Sequence, residues 1–377
     1  MSVSVDNRRT RMRSALAAVL TVLILLPAGV LFARVWGDVS DRDDSTRLEQ
    51  KGVEFLTALG PLVSSLAEAQ TSALSGVRAI PSSLTAAIAG VNAVDQRLGA
   101  ELGTRDRWTG LKQKIDLLQK ETGSPAAVFE AHVEVADLTL ALYEAVRDDS
   151  GLLHDPDNDI LHLAEAVAID LPATVVQVSR MGDLSQLVAR ATGQQRDQLA
   201  ARFAASVGLV ETSVGSLTDN LQEAVDDTNS ATLSGNLVTG LDNFRRGVES
   251  FTRGANPGGT PNAATMATAQ SQLQLSLGNL TGIVSREMAR LLEDRVDTLG
   301  YRTLEALVAA GTAVLFAVAA VAVPLTVRRR RAHGVTRTPG ETTRDMTVGA
   351  SGADPDRMVP AYGEATSSRR ERSGALR

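Results

Sequence analysis

Cysteine is absent from the 377 residues, which excludes disulfides, thiolate metal sites and cysteine nucleophiles and leaves the redox compartment open. Aromatic residues make up only 3% of a chain that is 44% hydrophobic, so the apolar mass is mostly Ala, Leu and Val. Small aliphatic side chains at heptad-like spacing pack into thin helical bundles rather than a thick mixed core. Strand signals are missing as well, because β-branched and aromatic alternation never persists over a strand length. So are the marks of catalysis. His132, His154, His162 and His333 show no metal-ligand spacing, no Gly-rich loop follows a strand, and there is no Gly-x-Ser-x-Gly elbow. Lysine occurs only as Lys51, Lys112, Lys114 and Lys120. With Arg supplying the remaining positive charge and with Ala and Gly abundant, this points to a high-GC bacterial source. The sequence predicts an all-α, non-enzymatic protein with no cofactor and no metal.

What is present begins with two uncharged apolar stretches, Ser14 to Ala33 and Ala306 to Val327. Arg8, Arg9, Arg11 and Arg13 precede the first and Arg328 to Arg331 follow the second. Each stretch is long enough to cross about 30 Å of hydrocarbon as a helix, and the outer arginines satisfy the positive-inside rule. A cleaved secretory signal also opens with a basic flank and an apolar run. This run is longer than a typical signal core, and Arg34 and Trp36 follow it as interfacial anchors would. The expected layout is a basic cytoplasmic start (1–13), a membrane helix (14–34), an extracytoplasmic domain (35–303), a second membrane helix (304–327) and a cytoplasmic tail (328–377). Both termini then lie inside a bacterial cytoplasmic membrane.

Between Val35 and Tyr301 there are 21 Lys plus Arg against 36 Asp plus Glu, so the domain carries a charge of −15 while the whole chain carries −6. With no basic stripe in the domain, nucleic acid is excluded as a partner and the lipid bilayer is implied. The tail from Ala332 to Arg377, rich in Arg, Thr, Ser, Gly and Pro, has too little apolar periodicity to offset its folding entropy and is expected to be disordered.

Within the domain, Pro, Gly and Asp/Asn clusters divide the sequence into long helices. The first is expected from Thr46 to Gly76, with a kink at Gly60-Pro61, and the second from Pro81 to Leu102. The third is capped by Asp106, broken at Gly123-Ser-Pro125 and resumed through Val146. A fourth runs from Ile160 with Pro172 in its interior, and further helices cover Gln194 to Glu223 and Asn229 to Arg253. A loop from Gly254 to Asn262 precedes a final helix that begins at Ala263 and runs into the second apolar stretch. Six or seven such helices suit an elongated bundle, and two stacked four-helix bundles divided near Gly182 to Gly193 suit them best.

Around the Asp/Pro break, Asp148, Ser150, Leu152, Asp155, Pro156, Asp159, Leu163, Leu171, Pro172 and Arg180 fit the pattern Asp-x-Ser-x-Leu-x-x-Asp-Pro-x-x-Asp-x-x-x-Leu, with Leu-Pro and then Arg downstream. This resembles the extracytoplasmic sensor domain of bacterial methyl-accepting chemotaxis proteins and sensor histidine kinases. The similarity extends to Glu49 to Gly52, Leu56, Trp108 and Leu291 to Arg295. It departs from those domains at Ala69-Gln70, where they carry His-Arg, at Ile160 and Leu161, where they carry Tyr, and at His154. The resemblance implies a membrane-bound helical-bundle sensor but no particular ligand. A chemoreceptor or kinase would continue past the second span with a HAMP relay and a transmitter. In this sequence the tail follows instead, so the expected output partner is a separate cytoplasmic or membrane signalling protein.

His132 and Arg147 are the candidate ligand-binding residues. His132 shares a helical stripe with Phe129, Ala136, Leu140 and Tyr143 and so faces the bundle interior; a hydrogen-bonded core histidine is the plainer alternative. Arg147 can clamp a carboxylate between helices or form an ion pair with Glu144 or Asp148. Asp155, Asp157 and Asp159 alternate like calcium ligands. A calcium loop starting at Asp155 would need Gly and a carboxylate where Ile160 and Ala166 stand. The reading adopted is that these carboxylates cap the following helix. Function is expected to be sensing by a bitopic protein, as a homodimer or with a membrane partner. The alternative is an envelope scaffold, which an exposed apolar stripe on the domain would favour.

Overall fold

The computed structural model describes residues 3–77, 79–154, 157–228, 230–256 and 261–332. Side chains within 3–15, at 17, 18, 20, 21 and 24, and within 320–332 lie outside the described set. Every regular element among the described residues is helical: α1 (Val3–Leu74), α2 (Ser82–Leu98), α3 (Arg105–Leu118), α4 (Pro125–Ser150), α5 (Asn158–Glu165), α6 (Leu171–Arg190), α7 (Gly193–Asp227), α8 (Ala231–Ala255) and α9 (Ala263–Ala332). A 3₁₀ turn at Leu152–His154 follows α4, and a π-helical segment at Ala166–Asp170 joins α5 to α6. The chain divides into two units, Met1–Val321 and Ala322–Arg377. Of the second, only the helical residues 322–332 are described. The expectation of a disordered tail falls on residues outside the described ones.

Local chemistry sets the boundaries. Ser124 caps α4 by accepting the Ala127 N–H at 3.3 Å, Pro125 takes the first helical position where no N–H is needed, and Gly151 closes the helix in the left-handed region (φ 73°). Ser230 caps α8 by accepting from Leu233 N at 3.3 Å, and Asn262 serves the start of α9 through Thr265 N at 3.0 Å. The third helix departs from expectation: it starts at Arg105, Asp106 sits in its first turn, and Thr104 donates its hydroxyl to Asp95 at 2.8 Å. Pro172 lies just past the π segment. Its missing N–H breaks the α-helical ladder, and the widened turn before it absorbs that break without ending the helix.

The helices run alternately up and down. Arg190 donates to Leu74 O at 2.6 Å and Gln270 to Thr71 Oγ1 at 3.3 Å, which gathers the α1, α6 and α9 segments near the first set of turns. Lys51–Glu101, Gly52–Ser150 and Arg295–Glu49 gather the opposite ends. The buried residues form one cluster that draws on all nine α-helices, including Leu59, Val91, Trp108, Leu142, Leu163, Val178, Leu217, Phe244 and Leu280. The bundles expected to stack end to end are replaced by helices lying side by side. Gly182 falls inside α6 and Gly193 opens α7, so neither marks a domain boundary.

α8 and α9 are closely paired. Gly240, Gly247 and Gly254 recur every seven residues on α8, and a methyl at each would lie 3.0 Å from Leu280, Leu273 and Met266 of α9. The absent Cβ atoms let the α9 side chains seat against the α8 backbone.

One helix among the described residues, within Ala263–Ala319, is long and apolar enough to cross a membrane, and none of its apolar window is buried. The upper part of α9 is core, with Met266, Leu273, Leu280 and Leu292 fully covered. Beyond Leu304 its large apolar side chains, including Leu315 and Phe316, are exposed. An apolar helix exposed on every side is not a core helix of a soluble bundle. In α1 most described large side chains of the first apolar stretch, among them Leu16, Leu23, Leu26 and Leu31, are exposed as well, while Leu25 and Phe32 are half-buried. The rest of that stretch, and the flanking arginines, lie outside the described side chains.

Candidate functional site

Two places collect polar residues that the packing alone does not explain. The first lies near the turns that join α1 to α2 and α3 to α4. His132 points inward from α4 and is only 7% exposed. On one side it lines a 220 Å³ open pocket whose walls are mostly aliphatic, including Ala73, Ile80, Leu84, Ile115 and Val128. On its other side is a space of about 10 Å³, room for a single water, lined by Gln70, Val176 and Ser179. Among the described residues nothing hydrogen-bonds the imidazole. Burial pushes its pKa down to about 4, so at pH 7 the ring is neutral, with one N–H donor and one acceptor nitrogen.

Beyond the small space sits a buried carboxyl, Asp183 of α6, with no exposed surface. Thr71 of α1 donates to it at 3.0 Å and Ser179 at 3.3 Å, while Gln270 of α9 donates to Thr71 at 3.3 Å. Room for Gln270 exists only because residue 182 is glycine: a methyl there would lie 2.0 Å from its Oε1. Burial raises the Asp183 pKa to about 7, although the surrounding hydroxyls and the Gln70 and Gln270 amides pull the other way. α1, α6 and α9 thus share one polar contact inside an apolar core. Asp170, in the π segment, is also raised by burial, and Asn220 of α7 donates to it at 2.6 Å.

The second place is the corner after α4, at the opposite end of the bundle. Ser150 and Leu152 are buried against Gly52 of α1, where a methyl would lie 2.4 Å from Ser150 Oγ. Asp157 pairs with Arg295 of α9, whose other guanidinium nitrogen lies 3.7 Å from the buried Glu49 of α1. These groups line an 890 Å³ cleft together with His154, Asp159, Asp294 and Arg302. Three segments singled out from the sequence, Glu49 to Gly52, Asp148 to Asp159 and Leu291 to Arg295, therefore have members that meet at one corner. Asp155 and Pro156 lie outside the described residues. Asp157 occupies the cap position of α5 without making a side-chain cap bond, because its carboxylate is turned to Arg295; Asp159 Oδ1 accepts from Ile160 N at 2.9 Å.

The other residues singled out from the sequence are spread along the bundle. Arg147 pairs with Asp148 at 2.7 Å and lies 3.6 Å from Glu144, all on α4. Leu163 and Pro172 are core. Arg180 reaches from α6 to α4, donating to Val133 O at 3.3 Å and pairing with Asp137. That anchors it one residue from His132. Asp183, Ser179 and Gln270 were not singled out. Of the cluster's residues, only Gln70 was named from the sequence.

No known protein family, curated protein or solved structure matches the chain.

Proposed function

We propose that this is a membrane-anchored, non-catalytic, sensor-like protein. Its chain crosses the bilayer twice and both ends are cytoplasmic. Its extracytoplasmic helices bind a ligand or partner protein and pass a conformational signal to a separate output protein, with a homodimer or another membrane protein as the natural assembly. The observation that carries this reading is α9. A single helix is core for its first half and becomes an exposed, membrane-compatible apolar rod in its second, so a change of packing in the bundle moves the segment that would enter the bilayer. The contacts of Asp183 with α1 and α9, and of Arg295 of α9 with Glu49 of α1, add to it, because they tie together the two helices that carry apolar ends. Scaffolding has less support: the exposed large apolar residues of the bundle, such as Leu117, Leu138, Leu209, Val238 and Leu275, are scattered over separate helices and make no stripe.

Reporter fusions test the topology. Fusions at Val5 and Asp345 are expected to report cytoplasm and one at Gly258 the exterior. A cytoplasmic Gly258, or a mature chain that begins near Val35, would overturn the two-pass arrangement.

A further inference from the structure

We propose that Asp183 is a proton-operated selector between two helices: ionised, its carboxylate takes Gln70 of α1 as partner, and protonated, its carboxyl takes Gln270 of α9. The inference deepens the sensing function proposed above and rests on it for its purpose, since α1 and α9 are the helices with apolar ends. Asp183 is fully buried on α6, and Thr71 of α1 and Ser179 of its own helix donate to it at 3.0 and 3.3 Å. Two amides stand beside it, on Gln70 and Gln270, side chains of residues only 3% and 2% exposed. Gln70 Nε2 and Gln270 Oε1 complete no hydrogen bond among the described residues, although both amides act on the Asp183 carboxyl.

One of these two atoms is a donor and the other an acceptor. An ionised carboxylate only accepts, so it serves the Gln70 N–H and has nothing to offer Gln270 Oε1. A protonated carboxyl carries an O–H that serves Gln270 Oε1, and it is the weaker acceptor for Gln70. Because a buried donor or acceptor without a partner is costly, each protonation state favours one of the two helices. The Gln270 amide is held in the orientation this needs. The Thr71 hydroxyl donates to Asp183, so it takes a nitrogen rather than an oxygen from Gln270, at 3.3 Å. Gln270 Oε1 then lies against the backbone of Gly182, where a methyl would be 2.0 Å away.

Among the described residues no charge competes for the carboxyl. From Phe55 to Leu74 α1 carries only Glu68, which is exposed, and α9 carries no charged residue from Ala263 to Ser285. α7 places Arg196, Asp197 and Arg202 at the surface, the last paired with Glu130 of α4. On α6, Arg180 is turned to Asp137 and Arg190 to Leu74 O. From α4 the titratable group is His132, across the water-sized space that Ser179 also lines, and burial keeps it neutral at pH 7. Asp183 is left to burial and hydrogen bonds, which set its pKa at about 7, so both protonation states are populated near neutral pH.

The test is an infrared titration of the full-length protein in lipid nanodiscs with isotope-labelled aspartate, the Asp183 carboxyl band being the one absent from Asp183→Asn. In the wild type the band is expected to titrate with a midpoint of about 7. Gln70→Leu removes the partner of the ionised form and should raise the midpoint by about one pH unit, a tenfold change in proton affinity. Gln270→Leu removes the partner of the protonated form and should lower it by about as much. Gly182→Ala, whose methyl displaces the Gln270 amide, should act in the same direction as Gln270→Leu. Should either leucine variant fail to fold, the methionine variants, which lack the amide and adapt to irregular space, carry the comparison. A band that does not titrate between about pH 5 and 9, a Gln70→Leu midpoint that is unchanged or lowered, or a Gln270→Leu midpoint that is unchanged or raised would each overturn the proposal. A raised midpoint in both leucine variants would make the two amides plain donors to the carboxylate. Failure of the fusion experiment would sink the two-pass topology and leave the titration results standing, without their link to a transmembrane signal.

Discussion

The two ends of the bundle handle buried polarity in opposite ways. Near the α1–α2 turn burial works against charge: His132 is pushed down and Asp183 up, both by desolvation, while the hydroxyls and amides around Asp183 pull its pKa back down. At the corner after α4 the groups are charged and paired, with Arg295 between Glu49 and Asp157. A hydrogen-bonded cluster whose groups can give up their charge can be repacked at modest electrostatic cost, whereas separating a half-buried ion pair leaves a charge stranded. The first end is therefore suited to rearrangement and the second to anchorage.

The sharpest test of that contrast is pH. Asp183 has a folded pKa of about 7 against 3.8, so the stability it contributes is complete below pH 3.8 and is lost as pH rises through 7, by about 4 kcal/mol. His132, at about 4 against 6.5, has the opposite sign: its contribution is complete above pH 6.5 and is lost as pH falls through 4, by about 3 kcal/mol. In the wild type the two slopes largely cancel between these limits. Denaturant unfolding of Asp183→Asn is expected to show stability rising across pH 4 to 6.5, and that of His132→Leu to show it falling across pH 4 to 7. Asp170, raised by burial in all three proteins, shifts them together and leaves the differences intact. Identical pH profiles for the two variants would erase the distinction between the ends.

Arg295→Ala probes the charged end. It removes the guanidinium beside the buried Glu49 and should cost about 3 kcal/mol in unfolding free energy at pH 7, with much of the loss recovered by Glu49→Gln in the same chain. A loss below about 1 kcal/mol would mean that the corner is solvated rather than an anchor. A smaller effect is expected from Gly52→Ala. Its methyl would meet Ser150 Oγ at 2.4 Å and Leu152 at 3.2 Å, and overpacking should outweigh the gain in helix propensity for a net loss of about 1–2 kcal/mol. Stabilisation of Gly52→Ala in a thermal melt would show that the corner yields.

Much of the fold was legible because its punctuation is local. Ser124-Pro125 at the start of α4 and the break between α8 and α9 carry local capping chemistry, which acts without knowledge of distant residues. His132 was legible as an inward-facing residue from its three- and four-residue spacing to apolar neighbours. The side-by-side arrangement was not legible. It depends on the register between helices far apart in the chain, and nothing in the pattern of one helix states which neighbour it meets. The same holds for the polar cluster. Asp183 and Gln270 are ordinary helix residues until α6 and α9 are brought against Thr71, and the role of Gly182 appears only when Gln270 is beside it. At the corner Asp157 looked like a helix cap because Arg295, 138 residues away, was not in view.

The glycines of α8 have a mechanical consequence. Three notches at seven-residue intervals receive three α9 side chains at once, so a shift of α9 along its axis by a fraction of a turn would lift Leu280, Leu273 and Met266 out together and wedge each against backbone. Sliding α9 past α8 is thus indexed like a key on its wards: small axial travel is blocked, and the remaining easy motions are those in which the two helices swing or roll as one blade. The stroke available to anything that pulls on this pair is set by the tooth spacing, and the softness of the surrounding core does not enlarge it.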